Sequence, residues 1–180
     1  GVSSSNIYLG HDVSKCKIYS TESNIVINPG TEHTISMNMD NNHPNYGMLF
    51  HVITPEGLSV VDNSLEITTR CQSSTTVSCN AVSNNKWVMM LYNDAKETIE
   101  GNSGVFCTFR IAADETYDGT SQITFTRVEA VDGDETHSTV EGTWEPITVT
   151  SGKIALDKAR AEIAMLRSEL AETMADIAEQ

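Results

Sequence analysis

The feature that most constrains the fold is the segment 46–60, in which apolar residues occupy both sides of one extended run. Alternating positions divide it into two sets, Met48, Phe50 and Val52 on one side and Leu49, His51 and Ile53 on the other. Pro55 cannot donate to a strand ladder and Gly57 permits a tight turn, so the strand ends there. Apolar residues on both faces predict a strand that is central in its sheet and partly covered on each side.

Short alternating runs separated by Gly, Asn, Asp and Ser clusters continue through the first 150 residues, and this pattern is typical of an all-β domain. Besides the segment just described, the predicted strands are 15–20, 24–28, 33–39, 65–70, 75–82, 86–92, 104–113, 122–130 and 144–149. About nine strands, roughly ten residues apart, predict an antiparallel sandwich or barrel. The inward phase slips between Phe125 and Val128, which predicts a bulge near Thr126 and Arg127.

The composition changes after Ser151 and Gly152, and residues 153–180 contain neither Gly nor Pro. Residues 1–150 are therefore interpreted as the β domain and 151–180 as a C-terminal amphipathic helix. The heptad positions of this helix are Leu156, Ile163, Leu170 and Ile177, with Ala159, Leu166 and Thr173 at the second seam position. Glu162 and Arg167 stand where neighbouring helices of a parallel coiled coil pair. The seam predicts either self-association or packing on the β domain, because both use the same stripe.

The formal net charge is −14, of which −12 lies in residues 1–152 and −2 in residues 153–180. An acidic surface repels phosphate backbones, so the charge argues against nucleic-acid binding. No apolar run reaches the length of a membrane-spanning helix. The chain starts at Gly1 without a signal peptide, and its Asn-, Ser- and Thr-rich, Lys-poor composition leads us to expect a secreted or surface-attached protein whose export signal has been removed.

The chain has four cysteines, Cys16, Cys71, Cys79 and Cys107, and none forms a Cys-x-x-Cys pair or lies beside clustered histidines. The spacing therefore argues against zinc. A hairpin could join Cys71 to Cys79 in a disulfide, or the two could be free, half-buried thiols. Cys107 alternates with core residues and is expected to pack in the core.

Motifs for catalysis or cofactors are missing from the sequence. It contains no nucleophile elbow, Walker-type glycine loop or dinucleotide fingerprint, so we expect a non-enzymatic protein without a cofactor. The acidic run 132–135 and the turn 114–118 offer oxygen ligands, but the spacing and flanking helices of a calcium loop are absent. Solvated turn residues are the favoured interpretation of both.

A family resemblance rests on short motifs spread over about residues 15–150. In chain order they are Ile27-Asn28-Pro29-Gly30, His33-Thr34-Ile35, Asp40-Asn41, Tyr46-Gly47, Pro55-Glu56-Gly57-Leu58, Trp87-Val88-Met89-Met90-Leu91-Tyr92, Gly101-Asn102-Ser103-Gly104 and Phe109-Arg110-Ile111. Together they resemble cohesin-like domains, most closely those of secreted Bacteroidetes proteins. The resemblance implies a nine-stranded jelly-roll sandwich, related to carbohydrate-binding modules, that binds proteins and catalyses nothing. In cellulosomes, a cohesin holds a dockerin on one sheet face.

The resemblance also suggests where a partner would bind. Strands in the corresponding positions lie side by side in the sheet that cohesins use for dockerins, and the alternation supplies the outward residues. The predicted partner-binding residues are Leu49, His51, Ile53, Val88, Met90, Tyr92, Thr108 and Arg110. Such an apolar patch marks an interaction site unless the C-terminal helix or an N-terminal segment covers it.

Two further functions remain open from the sequence. A carbohydrate-binding module would expose a flat aromatic platform, for which the candidates are Trp87, Tyr92, Tyr46 and Trp144. A structural spacer in a surface stalk would have polar sheet exteriors and contacts only at its ends.

Overall fold

The computed structural model describes residues 16–133 and 138–180. Two β-sheets pack face to face around one apolar core, and a helix follows the last strand. The rings of Phe50, Phe106 and Phe125 meet in the core, with centroids 6.1–6.2 Å apart around Phe50. The predicted all-β sandwich with a C-terminal helix is therefore confirmed.

The strands of the described residues number thirteen, because several short segments also pair. They are β1 Cys16–Ser20, β2 Asn24–Ile27, β3 Glu32–Asn41, β4 Asn45–Ile53, β5 Leu58–Val60, β6 Glu66–Ile67, β7 Thr76–Ser83, β8 Lys86–Tyr92, β9 Val105–Ala113, β10 Thr120–Asp132, β11 Thr139–Glu141, β12 Thr143–Trp144 and β13 Ile147–Ser151. The helix α1 spans Gly152–Ala178.

Sheet one has the strand order β12-β1-β3-β9-β5, with β6 also paired to β9. Sheet two has the order β2-β13-β10-β4-β8-β7, with β11 also paired to β10. The strand β4 lies between β10 and β8, so the prediction that segment 46–53 forms a central strand is confirmed.

Two pairings depart from the predicted antiparallel arrangement. The strand β1 runs parallel to β12, and β2 runs parallel to β13. The prediction of one strand over 144–149 is also wrong. Glu145 and Pro146 interrupt it, so that β12 before them belongs to sheet one and β13 after them belongs to sheet two. Proline lacks the N–H that a continuous ladder would use there.

The bulge expected near Thr126 is confirmed. The register of β10 against β4 shifts between Thr126 and Glu129, and Arg127 has φ 49°. One extra residue of β10 is thereby inserted, so Phe125 and Val128 both face the core although they are three positions apart.

The helix α1 begins where Ser151 caps it. The Ser151 hydroxyl accepts a hydrogen bond from the Lys153 backbone N–H at 3.3 Å and donates one to the Tyr117 carbonyl at 2.9 Å. Ser151 thus satisfies a free donor of the first turn while anchoring the helix to the sandwich. No residue of α1 is buried.

Candidate partner-binding face

The outer side of sheet two carries an apolar patch where β4 and β8 pair. Leu49 stands opposite Met90, and His51 stands opposite Val88. All four alternate with core residues, so their side chains leave the sheet on the solvent side. Met90 is 42% exposed, the most of these four side chains.

The neighbouring residues extend this patch along both strands. Ile53 stands opposite Lys86, and Tyr92 stands opposite Gly47. The ring of Tyr92 packs edge-on against the ring of buried Tyr46, with centroids 5.6 Å apart. We call the six outward residues Leu49, His51, Ile53, Val88, Met90 and Tyr92 the β4–β8 face. The structure brings these six predicted site residues together on one surface.

A shallow pocket of about 140 Å³ lies at one end of the β4–β8 face. Leu49, Met90 and Tyr92 form one part of its wall, while Glu129 and Val131 of β10 form another. The concavity is too small for a drug-sized ligand, whose sites span roughly 300 Å³ or more. It has the size to accept a single protruding side chain.

The pocket includes residues that the sequence prediction missed, namely Glu129, Val131 and Thr139. The phase after the bulge, with Val128 and Ala130 inward, already indicates that Glu129 and Val131 point outward. Their place beside Leu49 and Gly47 depends on the pairing of β10 with β4, which connects residues far apart in the chain.

His51 is the least exposed member of the face, at 8%. Burial lowers the pKa of its imidazole, and the positive charges of Lys86 and Arg127 lower it further, while Glu129 opposes them. The neutral ring is thereby favoured, so that His51 brings no charge to the face.

Thr108 and Arg110 do not belong to this surface, and the prediction that they do is wrong. Both lie on β9, which pairs with β3 in sheet one. Their outward phase is as expected, but it directs them to the opposite side of the sandwich, where Arg110 forms an ion pair with Glu32. Alternation fixes which side of a strand a residue occupies, whereas the sheet to which the strand belongs is decided by long-range pairing.

The helix α1 does not cover the β4–β8 face. It packs beside β13 and β2, which form the opposite end of sheet two from β8. From Leu156 onward, every residue of the helix is exposed. The other possible cover is an N-terminal segment, and residues 1–15 lie outside the described residues.

Aromatic side chains do not assemble into an exposed platform in the described ranges. Trp87 and Tyr46 are buried, at 5% and 4% exposure. Trp144 belongs to sheet one and packs against the core ring of Phe125, while Tyr92 lies on sheet two. The arrangement does not favour stacking on a sugar.

The structure does not join Cys71 to Cys79 in the disulfide that the sequence left open. All four cysteines are free and buried. The Sγ of Cys71 contacts the carbonyl of Phe106 on β9, whereas Cys79 lies on β7 opposite Met89. The two thiols therefore have different hydrogen-bonding neighbours, since Cys79 lies against the backbone of Asn63 and Ser64. Burial raises the pKa of Cys16 and of Cys71 to about 11 each.

The described ranges contain neither a metal-binding cluster nor a membrane-spanning helix. No group of three or more His, Cys, Asp or Glu side chains there could hold a metal ion. Asp134 and Glu135 of the predicted acidic run lie outside those ranges. No described helix is long and apolar enough to cross a bilayer.

Known proteins match this chain in structure but not in sequence. No protein-family model matches the sequence, and no curated protein matches it. Many solved structures do match, and the similar ones include several cohesins.

A cohesin of Clostridium acetobutylicum is 14% identical, with a TM-score of 0.60 over 77% of this chain and 91% of its own. A non-cellulosomal cohesin of Archaeoglobus fulgidus is also 14% identical, with a TM-score of 0.58 over the same shares. A type I cohesin–dockerin complex of Clostridium thermocellum matches at 15% identity and a TM-score of 0.60, over 77% of this chain and 99% of the other. The chain therefore has a cohesin-like β-sandwich fold. The comparisons do not support a Bacteroidetes origin.

Proposed function

We propose that this cohesin-like domain is a non-catalytic, extracellular module that binds a dockerin-type protein domain through the β4–β8 face. The observation that carries the proposal is the cross-strand pair of Leu49 and Met90, two apolar side chains on the solvent side of a central strand pair. Exposed apolar patches of this kind mark interaction sites on soluble proteins.

The composition of the face suits a protein partner. Apart from His51 its centre is apolar, while Lys86, Glu129 and Thr126 contribute polar groups around it. An apolar centre with a polar rim is the usual organisation of a protein–protein interface. The shallow pocket beside Met90 would receive one anchoring side chain of the partner.

The choice of a dockerin as the partner rests on the solved complexes. The matching Clostridium thermocellum structure is a cohesin bound to a dockerin. An extracellular location is part of the same proposal, and it rests on the Asn-, Ser- and Thr-rich, Lys-poor composition.

Titration calorimetry of the full chain against a panel of purified dockerin domains tests the proposal, and the panel includes the dockerin of that complex. We expect at least one dockerin to bind and Met90→Glu to abolish its binding, since a charge at the centre of an apolar interface is buried without a counterpart. Val26→Glu is the matched control, because Val26 is an exposed apolar residue on β2 of the same sheet, 56% exposed and outside the face.

Thermal unfolding of both variants separates binding from stability. Each should unfold within about 0.5 kcal/mol of the unchanged chain, because both substituted side chains are already exposed. Binding that survives Met90→Glu would refute the assignment of the face. Failure of every dockerin to bind would favour the structural spacer instead.

A further inference from the structure

The helix α1 leaves an apolar stripe in water along most of its length. Every apolar residue at the main seam position is about half exposed or more: Leu156 51%, Ile163 48%, Leu170 59% and Ile177 64%. Leu166, at the second seam position, is 58% exposed. Thr173 shares that position, and its hydroxyl donates to the Glu169 carbonyl at 3.0 Å, so its polar group is satisfied within the helix. The stripe has the 3.5-residue spacing of a coiled-coil seam.

Charged residues flank the stripe in a segregated pattern. One flank carries Lys153, Arg160 and Arg167, and the other carries Glu162, Glu169 and Asp176. In a parallel pair of helices, the acidic flank of each copy meets the basic flank of the other, and Glu162 lies opposite Arg167 of the second copy. An antiparallel pair would place acidic beside acidic and basic beside basic.

The flanking charges of the middle heptad have no partners within the described chain. Neither Glu162 nor Arg167 takes part in an ion pair there, whereas Lys153 of the first turn reaches Asp118 of the sandwich at 3.5 Å. The acidic flank of α1 is complementary to its own basic flank, which identifies a second copy of this chain as the partner that covers the stripe.

We infer that α1 pairs with α1 of a second copy in a parallel, in-register, two-stranded coiled coil that places two sandwiches side by side at one end. The central heptad predicts a coiled coil of two helices. Its first seam position is the β-branched Ile163 and its second is Leu166, and Ile followed by Leu at these positions favours dimers. A bivalent module of this kind would present two β4–β8 faces at once, although the pairing itself does not depend on their function.

Sedimentation equilibrium of the full chain tests the pairing. We expect a mass twice the 19.7 kDa of one chain. Ile163→Glu should give a monomer, because it places a charge in the seam. Met165→Glu should remain a dimer, because Met165 is similarly exposed, at 56% against 48% for Ile163, but lies off the seam. A monomer for the unchanged chain, or equal dissociation by both variants, would overturn the inference.

Charge reversal tests the orientation. In the parallel pair, Glu162→Arg and Arg167→Glu should each weaken dimerisation by roughly threefold to tenfold, and the double variant should restore it. In an antiparallel pair, either single reversal would relieve repulsion and strengthen association, which would refute the parallel arrangement. Ala159→Cys supplies a second readout, because in-register parallel helices bring the two new thiols together at the seam, where an added mild oxidant links them in a disulfide-bonded dimer.

Discussion

The guanidinium of Arg70 donates from Nη2 to Oδ1 of Asn41 at 2.9 Å, and this contact joins the turn after β6 to the end of β3. The same guanidinium serves four backbone carbonyls, those of Glu100 at 2.6 Å, Met39 at 2.9 Å, Gly104 at 2.7 Å and Gly101 at 3.1 Å. One side chain thus fixes the loop before β9 to the end of the sandwich.

Replacement of Arg70 should therefore be costly. We expect Arg70→Ala to lower the free energy of unfolding by about 3 kcal/mol, because several acceptors lose their donor at once. Arg70→Lys should recover only part of this loss, since an ammonium group cannot reproduce the planar fork. Urea unfolding measures both. Arg110→Ala is the control, because this exposed arginine makes a surface ion pair and should cost about 0.5 kcal/mol. If Arg70→Lys unfolds with the same free energy as the unchanged chain, the planar guanidinium is not what stabilises this end of the sandwich.

Gly57 approaches Tyr117 too closely for any side chain. Gly57 has φ +87°, and a Cβ added there would lie 2.9 Å from Cδ2 of Tyr117, whose ring is buried with its hydroxyl bound to the Val149 carbonyl. Gly57→Ala should lower stability by about 2–3 kcal/mol, from backbone strain and overpacking together. Gly101→Ala isolates the strain, because φ is +72° there and the nearest atom is 4.0 Å away. If thermal unfolding shows the same loss of stability for Gly57→Ala and Gly101→Ala, the contact with Tyr117 adds nothing and the predicted overpacking is wrong.

The four buried thiols should resist modification in the folded protein. Burial raises the pKa of Cys16 and Cys71 to about 11, so few thiolates exist near pH 8 and those are inaccessible. A thiol reagent should label none of them quickly in native buffer and all four in denaturant without reductant. Mass spectrometry counts the labels, and only two in denaturant would establish a disulfide instead.

The buried imidazole of His51 should make stability depend on pH. Its pKa in the folded protein lies below the unfolded value of about 6.5, so the unfolded state takes up a proton first as the pH falls. The contribution of His51 is present above pH 6.5 and is lost as the pH falls through the folded pKa. Unfolding free energies at pH 7.5 and pH 5 should therefore differ more for the unchanged chain than for His51→Gln. The same difference between the two pH values in both proteins would show that His51 is not the source of the pH dependence.

The local sequence determined which side of each strand its residues occupy. Alternation placed Phe50 inward and Leu49 outward, and the phase slip after Phe125 located the bulge at Arg127, because a period of two depends only on backbone geometry within one strand. The heptad likewise identified α1, since helical periodicity is equally local.

Only the tertiary structure decided which strands are neighbours. It set Met90 opposite Leu49, but it placed Arg110 in the other sheet. It also left Cys71 and Cys79 unbonded, although only seven residues lie between them. Strand order depends on contacts between distant parts of the chain, because the inward side chains of both sheets pack together into one core. Alternation within a single strand carries no information about which strands become neighbours. The composition of the β4–β8 face could therefore be established only from the folded chain.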